Sequence, residues 1–87
     1  MIKAWTDAAW DDLVYWNEND KKVFKKILKL LKDIERNGYS GIGKPERLSG
    51  DLSKYWSRRI DHKNRIVYRI DGITIKIVQC GSHYRDK

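Results

Sequence analysis

A chain of 87 residues holds one small domain, near the size at which a single hydrophobic core becomes marginal. It is 40% hydrophobic and 36% charged, enough to fold, with no run near the roughly 18 apolar residues that a spanning helix needs; a lone Cys80 and two histidines exclude an internal disulfide and a structural zinc site. The formal net charge of +7 is lopsided, because residues 1–43 carry 8 basic and 7 acidic side chains whereas residues 44–87 carry 11 and 5. The C-terminal half therefore attracts polyanions, either nucleic acid or an acidic protein segment.

Ile2 to Trp5 is read as a short strand, following an N-terminus without a signal-peptide apolar stretch, and a cytoplasmic location is expected. Thr6 is a fair N-cap for a helix over about Asp7 to Glu18, with Trp10, Leu13, Val14 and Asn17 at helical spacing on its apolar face. Asp20 caps a second helix to about Arg36, whose stripe is Phe24, Ile27, Leu28, Leu31 and Ile34. Lysines 21, 22, 25, 26, 29 and 32 lie on its other side, and Asn37-Gly38 stops it. Residues 39–54 form a long glycine-containing loop, of a length more often functional than idle in so small a domain. Period-two alternation then predicts strands over Tyr55–Asp61, Arg65–Ile70 and Ile73–Cys80, joined at His62-Lys63-Asn64 and at the hairpin dipeptide Asp71-Gly72. One face of this sheet is expected on the helices, and the other to carry arginines.

Gly38-Tyr39-Ser40-Gly41-Ile42-Gly43-Lys44 has the spacing of a phosphate-binding P-loop. It is rejected, because Pro45 stands where a Ser or Thr must hold Mg²⁺ and the segment follows a helix instead of a strand. Glu46 in the loop, Arg58, Arg59, Arg65 and Arg69 on the strands, and His83-Tyr84 after them form a dispersed polar set. Those residue types suit RNA cleavage, which needs a base for the 2′-hydroxyl proton, an acid for the departing 5′-oxygen and cations for the phosphorane. His62, in a turn, is read as an exposed bystander, and Cys80 as a half-buried small residue.

The element order β-α-α-β-β-β resembles one family, the YoeB/Txe-type toxins of bacterial toxin–antitoxin systems. So do the runs Gly43-Lys44-Pro45-Glu46-Arg47-Leu48, Tyr55-Trp56-Ser57-Arg58-Arg59-Ile60 and Asn64-Arg65-Ile66-Val67-Tyr68, together with Trp10-Asp11-Asp12, Tyr15-Trp16 and the terminal His83-Tyr84. The match runs in register over essentially the whole chain. The resemblance implies an α+β, microbial-RNase-like RelE fold, with a mainly antiparallel four-stranded sheet packed on two helices in a single domain over 1–87. It implies a ribosome-dependent mRNA endoribonuclease that needs no metal or cofactor and leaves 2′,3′-cyclic phosphate and 5′-hydroxyl ends. In it Glu46 is the general base, His83 the general acid and Arg65 the phosphorane stabiliser; Tyr84 seats the nucleotide, and Lys44, Arg58 and Arg59 hold phosphates. The implied partners are the 70S ribosome with mRNA, an acidic YefM/Axe-like antitoxin and, only together with the antitoxin, operator DNA; homodimer formation is left open. Where the family commonly ends at His-Tyr, Arg85-Asp86-Lys87 follows here and is expected to be a mobile tail. The alternative is a non-catalytic module on the same scaffold, directed at ribosomal RNA or at gyrase.

Overall fold

The structure is a computed structural model that describes residues 1–81, so the expectations for His83, Tyr84 and the tail over 85–87 lie outside the described residues. Its elements are β1 (Ile2–Trp5), α1 (Asp7–Asn19), α2 (Lys21–Asn37), β2 (Glu46–Arg47), a 3-10 turn (Gly50–Leu52), β3 (Trp56–Arg59), β4 (Arg65–Asp71) and β5 (Thr74–Gly81). No helix among the described residues is long and apolar enough to cross a membrane.

Local chemistry sets the helix ends where the sequence places them. The Thr6 hydroxyl accepts the Ala9 N–H at 3.1 Å, one of the donors that the first turn leaves unpaired. Asp20 closes one helix and opens the next: its N–H donates to the Trp16 carbonyl, while its carboxylate accepts from Lys22 N and Val23 N. Gly38, at φ +65°, ends α2 with its N–H on the Ile34 carbonyl, a conformation that suits glycine.

The fold is α+β, but the sheet differs from expectation. Among the described residues it has five strands in the order β1-β5-β4-β3-β2, and it is mixed, with β1 parallel to β5 and the other pairs antiparallel. The fifth strand comes from the long loop. Glu46 pairs with Ser57 and Arg47 with Trp56, so two polar residues after Pro45 become a strand by pairing with the β3 edge, without any β-like pattern of their own.

Both helices pack on one face of the sheet, each with its stripe rotated from the expected one. On α1 the inward positions are Ala9, Asp12, Leu13 and Trp16, and Trp10 is 51% exposed with its ring edge-on to Trp5. On α2 they are Val23, Ile27, Leu30, Leu31 and Ile34, while Leu28 is 42% exposed. They meet Ile66, Tyr68, Ile75, Ile77 and Cys80 from the sheet. Cys80 is fully buried instead of half-buried, inert in the way of a small apolar residue.

One buried cation organises the segment after α2. Arg58 is 0% exposed. Its Nη2 donates to the carbonyls of Gly38 (2.8 Å) and Ser40 (2.5 Å), its Nη1 to the Ile42 carbonyl (3.0 Å) and to Asp33 Oδ2 (2.5 Å), and its Nε to the Tyr68 hydroxyl (3.1 Å). Burial pushes the Tyr68 phenol above its ordinary pKa, so it keeps its proton, which it donates to the Gly38 carbonyl at 3.2 Å. Segment 38–42 thus turns carbonyl oxygens onto a cation, the reverse of a P-loop, whose N–H groups converge on phosphate.

The hydrogen bond from Arg58 holds the Asp33 carboxyl below the ordinary value of 3.8. A carboxylate whose pKa is lower folded than unfolded stabilises fully above the unfolded value, and that contribution is lost as pH falls through the folded one. The urea midpoint should therefore fall below about pH 4. Asp33→Asn should start lower at neutral pH and fall less steeply, with Glu35 beside Lys3 and Asp71 beside Lys76 keeping some slope. Identical acid slopes in the two proteins would exclude Asp33 from the response. Arg58→Met, which takes a donor away from three carbonyls and a carboxylate, should lower Tm by about 10 °C or more.

Candidate active site

The face of the sheet turned away from the helices carries the candidate site, and strand register places its side chains in rows. Glu46, Ser57, Val67 and Gln79 pair successively from β2 to β5, so their side chains share this face. One row along, Arg59 pairs with Arg65 and Arg65 with Gly81. Ser57, Val67 and Gln79 are buried and form the floor, Glu46 and Arg59 stand exposed, and Arg65 is half-buried. Glu46 and Arg65 lie two strands and one row apart, about 12 Å between Cα atoms, a gap that two long side chains can close around a phosphodiester. Arg65 Nη1 is buried and finds no hydrogen-bond partner among the described residues, so the guanidinium is not spent on an internal ion pair.

The structure thus brings Glu46, Arg59 and Arg65 onto one surface, with exposed Lys44 at the loop end leading into β2. His83 and Tyr84 lie outside the described residues; the last of these, Gly81, is opposite Arg65. Arg58 does not join the set. It pairs with Ile66 on the helix side of the sheet, and every guanidinium nitrogen is already engaged. A phosphate cannot reach it, so the expectation that Arg58 holds substrate is replaced by a structural role. Adjacent residues on a strand face opposite ways, which is why Arg58 and Arg59 part company. Trp56 also lies on the helix side, stacked on Tyr39 at 4.7 Å between ring centroids. His62 is exposed, in a turn held by the Asp61 carboxylate, which accepts from Lys63 N and Asn64 N.

Two residues outside the expected set fix the end of β5. Past Ile77, β5 has no β1 neighbour, because β1 stops at Trp5. Side chains of α1 take over: Asp12 Oδ2 accepts the Cys80 N–H at 3.0 Å, and Trp16 Nε1 donates to the Cys80 carbonyl at 2.7 Å. The backbone groups at this edge are thereby satisfied within a closely packed layer. Asp12 and Trp16 stand four residues apart in the stripe with Ala9 and Leu13, so the spacing i, i+3, i+4, i+7 was the available sign.

A sheet with a basic open face, backed on its other side by two helices, defines a small α+β protein, and comparison with known proteins supplies its class. A family profile described as "YoeB-like toxin of bacterial type II toxin-antitoxin system" matches residues 5–84, and the chain belongs to that family. It is 50% identical over 84 residues to Toxin YoeB of Streptomyces coelicolor, spanning 97% of this chain and 100% of that one. The YoeB dimer from Staphylococcus aureus superposes with a TM-score of 0.91 at 48% identity, over 97% of this chain and 98% of that chain. A chain of the heterotetrameric YoeB–YefM toxin–antitoxin complex from Staphylococcus aureus matches with the same TM-score, identity and coverage.

The loop reaches Glu46 through Gly43, at φ +83°, whose carbonyl accepts the Arg59 N–H at 2.7 Å. A Cβ there would stand 2.9 Å from Leu30 Cδ2 and 3.2 Å from both Arg58 Cβ and the Arg59 carbonyl, whereas at Gly50, also at positive φ, nothing lies within 4 Å. Gly43→Ala combines strain with collision, so it should lower Tm by roughly 5–10 °C, and Gly50→Ala, strained only, by a few degrees at most. Equal losses in calorimetry would mean that the Gly43 packing does not set the loop.

Proposed function

We propose that this protein is a ribosome-dependent mRNA endoribonuclease. In this reaction the Glu46 carboxylate removes the proton from a ribose 2′-hydroxyl, whose oxygen attacks the adjacent phosphorus. Arg65 stabilises the charge of the pentacoordinate phosphorane, and His83 gives its proton to the departing 5′-oxygen. A 2′,3′-cyclic phosphate and a 5′-hydroxyl result. Tyr84 seats the scissile nucleotide, and Lys44 and Arg59 hold flanking phosphates.

The observation that supports this reading most directly is the shared sheet face. The Glu46 carboxylate of β2 and the half-buried Arg65 face the same side of the sheet over a closed floor, in a chain of a toxin family. A pure binding module has no use for an acid–base pair. The family and the basic C-terminal half also support neutralisation by an acidic antitoxin laid over this face, since a related toxin is described in a heterotetrameric complex with YefM. Self-association is supported by the dimer described for another relative.

Glu46→Gln and His83→Gln should each reduce cleavage of mRNA on programmed ribosomes by roughly 10²-fold or more, with His62→Gln unchanged. Chelation of added divalent metal should leave the rate unaltered at constant ribosomal Mg²⁺. If both variants cleaved like wild type, the acid–base assignment would fail; binding without any cut would favour the non-catalytic module.

A further inference from the structure

The open sheet face continues past Glu46 into a second cluster. On the side away from Arg65, Arg69 pairs with Lys76 and Lys76 with Ala4, forming the next row on the same face. The Arg69 guanidinium lies over the Tyr55 ring, 5.6 Å from its centroid. Beside this row opens a cleft of about 180 Å³, lined by Trp5, Tyr55, Lys76 and Val78 among others. It sits where β1 ends against β5 and where the β4–β5 register jumps, leaving Val78 as the extra residue of a bulge. Arg69 Nε is buried and has no hydrogen-bond partner among the described residues. Asp71 is the nearby carboxylate, with Oδ2 3.0 Å from Lys76 Nζ and 3.7 Å from Arg69 Nη2; it is exposed and leaves Arg69 Nε untouched.

The geometry points to a second nucleotide subsite here: the cleft receives one base of a single-stranded RNA against Tyr55, while Arg69 and Lys76 hold its phosphate. This rests on the RNA-cleavage reading above and extends it from the scissile bond to a flanking nucleotide. Three independent features converge. The cleft has one planar aromatic wall, Tyr55, and room for one base, and aromatic stacking is the usual way to hold an unpaired base without reading its edge. Two guanidinium nitrogens on one face, Arg65 Nη1 and Arg69 Nε, are both buried and unpartnered. Their residues lie four positions apart on β4, about 13 Å, roughly two nucleotides of extended strand. An acidic peptide would answer the cations but leave the flat cleft unused, which favours RNA.

The test uses the full chain with two substrates. One is a 2′-O-methyl octanucleotide, which cannot be cleaved through a 2′-hydroxyl and reports binding by fluorescence anisotropy. The other is mRNA on programmed ribosomes, carrying an abasic residue at each position around the cut in turn. Arg69→Gln and Tyr55→Leu, with melting curves to show that they fold, should each weaken octanucleotide binding about 5- to 10-fold. They should raise KM for cleavage by a similar factor and leave kcat within about twofold. In wild type, an abasic residue at one position, about two nucleotides from the cut, should cause the same loss. Tyr55→Leu should lose nothing further there. Wild-type affinity and KM in both variants would overturn the subsite while leaving the cleavage reading intact. A protein that never cuts mRNA but loses octanucleotide binding in the variants would sustain the subsite and overturn the cleavage reading. A loss confined to antitoxin affinity would overturn the subsite in favour of an acidic-peptide contact.

Discussion

The guanidinium of Arg58 is the pin on which the candidate site turns. A buried cation is costly to hold unless every donor is matched, and here the matches are three carbonyls, a carboxylate and a phenol. Because the carbonyls belong to Gly38, Ser40 and Ile42, meeting the needs of the cation also winds the chain leaving α2 into one path. That path ends at Gly43, whose carbonyl accepts from Arg59, and three residues later at Glu46, paired with Ser57 on the edge of the sheet. The exposed carboxylate proposed to remove the proton is thus placed by a polar cluster on the opposite side of the sheet. The aromatic stack of Trp56, Tyr39 and Tyr68 closes over the same region, with the Tyr39 hydroxyl accepting the Ile70 N–H at 2.7 Å.

This arrangement sorts the cations by face. Toward the helices, positive charge is neutralised within the protein: Arg58 by Asp33, and Lys3 by Glu35. These two pairs occupy both acidic residues of α2. On the open face, no acidic partner is recorded for Arg59 or Arg65 among the described residues, and the Asp71 carboxylate is shared between Arg69 and Lys76. The excess charge in the C-terminal half is therefore available where a polyanion can reach it, and its effect on binding should be strong and salt-dependent.

Much of this could be read from the sequence. Caps at Thr6, Asp20 and Gly38, the Asp71-Gly72 hairpin and the three C-terminal strands follow from local chemistry, and the structure places them within a residue or two. Glu46, Arg59 and Arg65 were identifiable as a set through the family motifs. Other features depend on the far side of a contact. A two-residue strand at Glu46–Arg47 exists only because the β3 edge is there to pair with it, and β1 joins β5 in parallel because α1 and α2 together carry the chain across the sheet. The role of Arg58 was hidden by its charge, yet its parity with Trp56 and Ile60 put it on the apolar face; alternation was the better guide than residue type. The helix stripes failed in the same manner. Trp10 and Leu28 are apolar and fall in the expected stripes yet lie exposed, whereas Asp12 belongs to the inward stripe because it serves the Cys80 backbone.

That last contact completes the logic of the site. Glu46 comes to the open face along a loop governed by Arg58, and β5 comes from the other side of the sheet. Beyond Ile77, β5 has lost β1, and an unpaired edge would be free to twist or fray. Asp12 and Trp16 occupy that edge from α1, holding both backbone groups of Cys80 one residue before Gly81 meets Arg65. The loop that carries Glu46 and the end of β5 are each constrained by polar side chains buried between the sheet and the helices, and neither relies on the open face for its direction. The open face is then free to present unpartnered donors to a ligand. In a domain this small, with one hydrophobic core, a second core under the site is not available, and buried polar pins are the means by which one layer can position the chemistry of the other.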